Sequence, residues 1–279
     1  MNRFASIAKY TVMTVLAVIS IIPILWMISG SLRPYEELFK YSSSLNIHLF
    51  VPVQPTLANF KEVIFSEGNP FLRYIANTLF VAGIVTLLVL LVNSMSAFAF
   101  AKLRFRGKAV VFALFMSAMI IPGEVTLVPN YLLMNYFGWL NSYKALVIPS
   151  MLSVFGIFLL RQFFAEIPDE ILEAAKIDGA SMPRTFSSIV LPAAVPPMIT
   201  LALMTFLGNW DSYLWPLIVI NDEKKQMIQV AIATFSSVEG TDWSKILAAS
   251  TISTVPILIL FLFLQRYYIQ GITMSGVKG

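Results

Sequence analysis

Residues Glu170 to Ala180 read EILEAAKIDGA. Within them, Glu173 and Asp178 can accept charge-assisted hydrogen bonds from an arginine or lysine of another protein. Ala174 and Ala175 carry almost no side chain, so a partner backbone can approach closely, and Gly179 suits the left-handed residue that ends a helix. Two further carboxylates, Glu124 in IPGEVTL and Asp211 in GNWDSYLWP, fall inside apolar stretches. Charge at membrane depth costs at least about 2.5 kcal/mol, so such residues usually face a cavity; these two could equally steady packing against a partner subunit. Asp211 and Trp215 are four apart and share a helix face, as do Asn209 and Tyr213. Aromatic faces beside hydrogen-bonding groups suit a sugar, which offers C–H faces and hydroxyls. Tryptophan and tyrosine near an outer interface also serve as belt residues, and for Trp210 and Trp215 belt or packing stands beside the sugar path.

Other chemistry is excluded by what the chain lacks. It has no cysteine and one histidine, His48, in a polar loop. Thiol nucleophiles, disulfides and thiolate metal sites are therefore absent, and with a single histidine neither a Ser-His-Asp set nor a metal-ligand cluster is expected. A phosphate-binding loop needs G-x-x-x-x-G-K followed by Ser or Thr. The stretch GITMSGVK from Gly271 has Val277 where the lysine belongs, and GKA at Gly107 has Ala109 after its lysine. The chain does not hydrolyse ATP itself.

The elements that must position these residues are membrane helices. The chain has 279 residues, of which 58% are hydrophobic and 12% charged, and its mean hydropathy is +0.79. A soluble chain is about a quarter charged. A bilayer core about 30 Å thick needs about 20 apolar residues per crossing. Runs of that length predict six spans at about 11–32, 74–101, 109–133, 145–164, 191–220 and 246–269. The first follows Arg3 and Lys9 and lacks a small-residue cleavage site, so it reads as a retained helix rather than a signal peptide. No internal repeat or linker divides the chain, which is expected to be one membrane domain over residues 1–279.

Orientation follows from KLRFRGK between spans two and three, where Lys102, Arg104, Arg106 and Lys108 stand without an acid. By the positive-inside rule this loop is cytoplasmic, and with six spans both termini, marked by Arg3, Lys9 and Lys278, share that side. The loop from Arg33 to Arg73 faces out, with four basic and four acidic residues in balance, and is long enough to form a small external cap. The net charge of +4 is scattered through short loops, so no nucleic-acid surface is expected. Glu124 and Asp211 each lie about 15 residues, or roughly 20 Å, from the cytoplasmic edge, in the outer half of the bilayer. Pro122 and Gly123 are expected to break span three just before Glu124, which is tolerated at that depth only beside a cavity or within protein.

The loop over 165–190 is cytoplasmic by the same parity, and local rules predict its shape. Pro168 suits a first helical turn, and Asp169 and Glu170 complement the positive end of the helix dipole. Gly179 ends the helix, and Ser181 caps a second short one near Pro183. Surface helices that rest on anionic lipid carry Lys and Arg on the polar face. Here Glu166, Asp169, Glu170, Glu173 and Asp178 outnumber Arg161, Lys176 and Arg184, which favours a protein partner over the lipid surface.

EAAKIDGA followed by SSIVLP resembles the EAA signature of membrane subunits of ATP-binding-cassette importers. That pattern is Glu-Ala-Ala, three residues, Gly, then about nine residues to Ile-x-Leu-Pro, and here it reads Glu173, Ala174, Ala175, Gly179, Ile189, Leu191 and Pro192 without departure. SLRPYEELF, PFLRYIANTLF, MIIPGEVTLVPNYLL, NWDSYLWPL and GITMSGVKG extend the likeness to the MalG-like, carbohydrate-importing branch over nearly the whole chain. The resemblance implies an all-α integral membrane protein with the type I importer permease fold and a cytoplasmic coupling helix at Glu173–Gly179. It implies a second homologous permease subunit, two cytoplasmic ATP-binding subunits that use ATP and Mg, and an extracytoplasmic sugar-binding protein. The site would be the plasma (inner) membrane of a bacterium or archaeon, and this chain would bind no cofactor of its own. The competing readings are a proton-coupled secondary transporter using Glu124 and Asp211, and an inert scaffold. The first leaves the EAA segment without a purpose, and the second would not need polar residues at membrane depth.

Overall fold

The computed structural model describes residues 3–41, 47–65, 70–237 and 240–275; the terminal GVKG, with Lys278, lies outside them. In chain order the helices are α1 (Arg3–Ser31), α2 (Tyr35–Leu38), α3 (Ala58–Phe65), α4 (Phe71–Lys102), α5 (Lys108–Ala118), α6 (Gly123–Tyr136), α7 (Tyr143–Val147) and α8 (Val154–Glu166). They continue with α9 (Asp169–Ile177), α10 (Met182–Thr185), α11 (Leu191–Ala193), α12 (Val195–Trp210), α13 (Leu214–Val219), α14 (Ile228–Ala233) and α15 (Trp243–Ser275). The β structure among the described residues is one antiparallel pair of two-residue strands, β1 (Ser236–Ser237) and β2 (Gly240–Thr241).

Among the described residues, three helical stretches are long and apolar enough to cross a bilayer: Ser6–Ser31, Phe71–Lys102 and Trp243–Phe263. Two bent pairs raise the count to five if each is one span: α5 with α6, bent by 100°, and Met182–Ala193 with α12, bent by 80°. Both bends have a proline cause. Pro122 precedes α6 as its N-cap, at the position expected to break span three. Pro196 and Pro197 open α12, where they cannot donate back to the preceding turn. A π turn over Phe186–Val190 sits just before Pro192, whose ring disturbs the i→i−4 ladder at Ser188.

The expected continuous span over 145–164 is not one helix. It is α7, then non-helical chain through 148–153, then α8. Pro149 supplies no N–H to Ala145 four residues back and crowds that carbonyl. The expected span over 191–220 is likewise interrupted a second time, at 211–213, between α12 and α13.

The chain divides into two compact units. In the first, Met1–Ile75 with Val230–Leu258, α1 is apolar on all sides, and its Ile7, Leu16 and Ile19 are 64%, 59% and 58% exposed. Such a surface in a membrane chain meets lipid or another subunit. Near its end, Gly30 comes so close to α15 that an added Cβ would sit 2.5 Å from Leu247 Cδ1. Described residues of the loop beyond α1 are tied to one another and to the end of that helix. Asn59 donates through Nδ2 to the carbonyls of Ser31 and Arg33, at 2.9 and 2.7 Å. Glu37 accepts from the backbone of Val53 and Gln54 at 2.7 and 3.0 Å. Lys245 pairs with Glu62 at 3.0 Å.

The second unit, Ala76–Gln229 with Ile259–Gly279, holds a core in which Val85, Val89, Leu160, Phe164 and Leu201 are buried. Here α8 packs on α12 and on α5. An added Cβ at Gly156 would lie 2.9 Å from Leu201 Cδ1, so the glycine allows α8 and α12 their close approach. Asn77 ties the segment after α13 to α4: its Nδ2 donates to the carbonyls of Lys224 and Gln226, both at 3.0 Å, and its Oδ1 accepts from the Tyr143 hydroxyl at 2.8 Å.

Candidate functional sites

The acidic segment forms the helix expected of it. Pro168 is the N-cap, with φ −58° and ψ 137°, rather than the first helical residue, and Asp169 and Glu170 fill the first turn of α9. At the other end Gly179 takes φ +81°. The Gly179 N–H donates to Lys176 O at 3.1 Å and the Ala180 N–H to Ala175 O at 2.9 Å. These are the two bonds of a Schellman ending, with Gly179 as the left-handed residue after the cap. Ser181 occupies the N-cap of α10, but its hydroxyl makes no capping bond; its carbonyl instead accepts from the Thr185 N–H at 2.8 Å.

The two alanines are not equivalent. Ala175 is 7% exposed and turned inward, and Leu172 packs on the core of the second unit. Glu170, Glu173, Ala174, Lys176 and Ile177 face out. The surface free for close approach is therefore Ala174 flanked by Glu173 and by Ile177, which is 86% exposed. The Glu173 carboxylate, also exposed, has no hydrogen-bond or ion-pair partner among the described residues. Asp178 is the exposed C-cap.

What fixes this helix was not anticipated from sequence. Lys102, the last residue of α4, carries its Nζ to Asp169 Oδ1 at 2.6 Å and donates also to the Ile167 carbonyl. The neighbouring ammonium of Lys102 holds the Asp169 carboxyl below the usual carboxylate range, through its hydrogen bond first and its charge second.

The second candidate set lies around the end of α12 and in α6. Its members are not brought onto shared helix faces. The helix stops at Trp210, Asp211 caps it, and α13 starts at Leu214, so the expected pairing of Asp211 with Trp215, and of Asn209 with Tyr213, does not form. Pro216 explains this, because its ring and missing N–H bar a helix from running back through Ser212. Asp211 is exposed and accepts from Gln229 Nε2 at 3.3 Å. Asn209 Nδ2 donates to Thr205 O at 2.8 Å, and Tyr213 is 43% exposed. Glu124 stands exposed in the first turn of α6, at the positive end of that helix's dipole.

The tryptophans separate. Trp210 is fully buried and stacks on Phe206 at 5.9 Å, so it is a packing residue and not a belt. Trp215 donates its indole N–H to Ala145 O at 2.9 Å. With Asn209, Ser212 and Ser150 it lines a cavity of about 20 Å³, enough for one water and far too small for a sugar. Among the described residues no group of three His, Asp or Glu side chains could hold a metal ion.

Comparison with known proteins agrees with a transport role. Residues 2–274 match the family described as "binding-protein-dependent transport system inner membrane component". The chain is 33% identical over 264 residues to the arabinooligosaccharides transport system permease protein AraQ of Halalkalibacterium halodurans, covering 95% of this chain and 93% of that one. It is 30% identical over 269 residues to the trehalose/maltose transport system permease protein MalG of Thermococcus litoralis, covering 95% and 94%. In fold it is similar to a chain of a bacterial ABC transporter involved in the import of the acidic polysaccharide alginate, with a TM-score of 0.82 at 22% identity, covering 95% and 97%. The chain belongs to the family of binding-protein-dependent transport system inner membrane components: it is an ABC-importer permease subunit, and ATP hydrolysis is the work of separate subunits.

Proposed function

We propose that this permease imports a carbohydrate and is driven through α9. The cargo class rests on the relatives, whose names include arabinooligosaccharides, trehalose and maltose. The drive rests on one observation: α9 presents a Glu173 without a partner among the described residues, beside Ala174 and Ile177, on a helix closed by Gly179. On this reading residues 1–279 act as one permease domain with both termini and the 165–190 loop in the cytoplasm. The chain pairs with a second homologous permease. Two ATP-binding subunits, using ATP and Mg, sit below, and an extracytoplasmic sugar-binding protein delivers cargo above.

ATP binding closes the ATPase pair and shifts α9 with it, which favours the outward-open packing; hydrolysis returns the chain to the inward one. The coupling is a population shift between two packings. Glu124, Asn209, Asp211, Tyr213 and Trp215 are the proposed polar lining of the path, completed by the partner permease.

The test is ATPase co-purification with wild type, Glu173→Lys and Gly179→Trp, each expressed with the other subunits. Both substitutions are expected to lose the ATPase or to abolish sugar-stimulated hydrolysis while membrane insertion is unchanged. Sugar-stimulated hydrolysis equal to wild type in both would refute the docking assignment.

A further inference from the structure

The four cations of KLRFRGK mark topology in the sequence, but in the structure two of them bond specific acceptors at the end of α4. Lys108 Nζ donates back to the carbonyls of Ala101 and Leu103, at 3.2 and 3.0 Å. These are among the carbonyls a helix C-terminus leaves without N–H partners, so the end of α4 is closed. Lys102 points the other way. Its side chain is 6% exposed, and its ammonium sits on the corner where α8 turns into α9. One acceptor is the carbonyl of Ile167, the C-cap of α8; the other is Asp169, the first residue of α9.

That corner is stiff on both sides. Phe164, three residues before Ile167, is fully buried in the core, and the Ile167 N–H bonds the Phe164 carbonyl at 3.3 Å. Pro168 fixes φ between the two acceptors. On the α4 side, Ala97 and Phe98 lie in the same core, one turn before Lys102. The Lys102 side chain is largely buried although Asp169 is 74% exposed, so a corner that moved without α4 would take both acceptors from this ammonium, a costly state.

We propose that Lys102 is a positioning residue that makes the membrane helix α4 move with α9, so that displacement of the docking helix reaches the permease core through this ion pair. The inference rests on the reading that α9 docks an ATPase. It gives the Lys102–Asp169 contact a role that surface ion pairs do not ordinarily have, since those contribute little.

The experiment uses the complete transporter in proteoliposomes, with its binding protein and sugar, and measures sugar imported per ATP hydrolysed. The variants are Lys102→Met, Lys102→Arg and Asp169→Asn, together with the double Lys102→Met/Asp169→Asn. Lys102→Met is expected to lower that ratio about tenfold, within the range of typical coupling energies, while the ATPase still co-purifies and hydrolyses ATP. Lys102→Arg is expected to keep more than half of the ratio. Asp169→Asn should fall between them, because the Ile167 carbonyl remains, and the double variant should be no worse than Lys102→Met.

An unchanged ratio in Lys102→Met would overturn the proposal. So would a fall of the same size in Lys102→Arg, or import and hydrolysis lost together in every variant, which marks a merely structural role. If wild type fails to bind an ATPase at all, the docking reading falls and this inference with it, an outcome distinct from intact docking with an unaltered ratio.

Discussion

The indole N–H of Trp215 donates to the carbonyl of Ala145 at 2.9 Å, and that carbonyl is the one Pro149 leaves without its helical donor. In an uninterrupted helix the N–H four residues on would serve Ala145, but proline has none. A side chain 70 residues away in sequence completes the turn.

Trp215→Phe should therefore destabilise the folded chain by about 1–3 kcal/mol, the cost of a buried acceptor left unpaired. Pro149→Ala should recover part of that loss in the Trp215→Phe background, since residue 149 would again carry an N–H. Thermal unfolding in detergent of the two single variants and the double checks this. Strictly additive effects would show that Pro149 and Trp215 do not share the carbonyl.

The far side of the same break depends on Asn93. It is fully buried in α4, and its Oδ1 accepts from the Ser153 N–H at 3.1 Å, just where α8 begins. The Ser153 hydroxyl in turn caps α8 by accepting from Gly156 N at 3.0 Å. Asn93→Leu is expected to cost about 1–3 kcal/mol and to speed hydrogen exchange at the Ser153 amide by about tenfold, corresponding to 1.4 kcal/mol of local opening. Unaltered exchange at Ser153 would refute the assignment.

These two contacts show where the sequence was legible and where it was not. The helix α9 was readable because its rules are local: Pro168, Asp169 and Gly179 act within their own turn, and each stands where expected within one position. The break before Glu124 was readable for the same reason, from Pro122 and Gly123. The interruption at 148–153 was not, although Pro149 is visible, because a run of apolar residues masks a chain that leaves the helix. Whether Pro149 kinks or breaks a helix depends on what replaces the lost bond, and Trp215 and Asn93 come from elsewhere in the chain. Likewise Ala174 and Ala175 look alike in sequence, and only the packing of Leu172 decides which one faces out. In the sequence Lys102 is one of four loop charges; its acceptors are set by a corner that sequence spacing does not specify.

Gly179 gives a prediction that separates backbone from space. An added Cβ there meets nothing within 4 Å, yet φ is +81°, so the glycine is needed for conformation alone. Substitutions should rank by tolerance of the left-handed region rather than by size: Asn nearest to Gly, then Ala at about 1–2 kcal/mol, then Val worse. Co-purification of the ATPase with Gly179→Asn, →Ala and →Val measures the order. Retention that instead follows side-chain volume would point to a partner surface pressed against Gly179.

Asp211 distinguishes a hydrogen-bonding role from proton carriage. Its Oδ1 accepts from Gln229 Nε2 at 3.3 Å, a bond that an asparagine oxygen can also accept. Hydrogen bonds to charged groups exceed neutral ones by about 1 kcal/mol, so Asp211→Asn is expected to slow sugar import by no more than roughly fivefold. Glu124→Gln, with the acceptor oxygen kept in the first turn of α6, is expected to behave alike. A carboxylate that carries a proton through each cycle has no substitute in an amide, so that mechanism requires import to stop in at least one of the two. Uptake by both variants, measured with a protonophore present and again after ATP depletion, decides the matter. Import that survives the protonophore and ends with ATP leaves these acids as polar lining; import abolished by either amide, and by the protonophore in wild type, would overturn the ATP-driven reading.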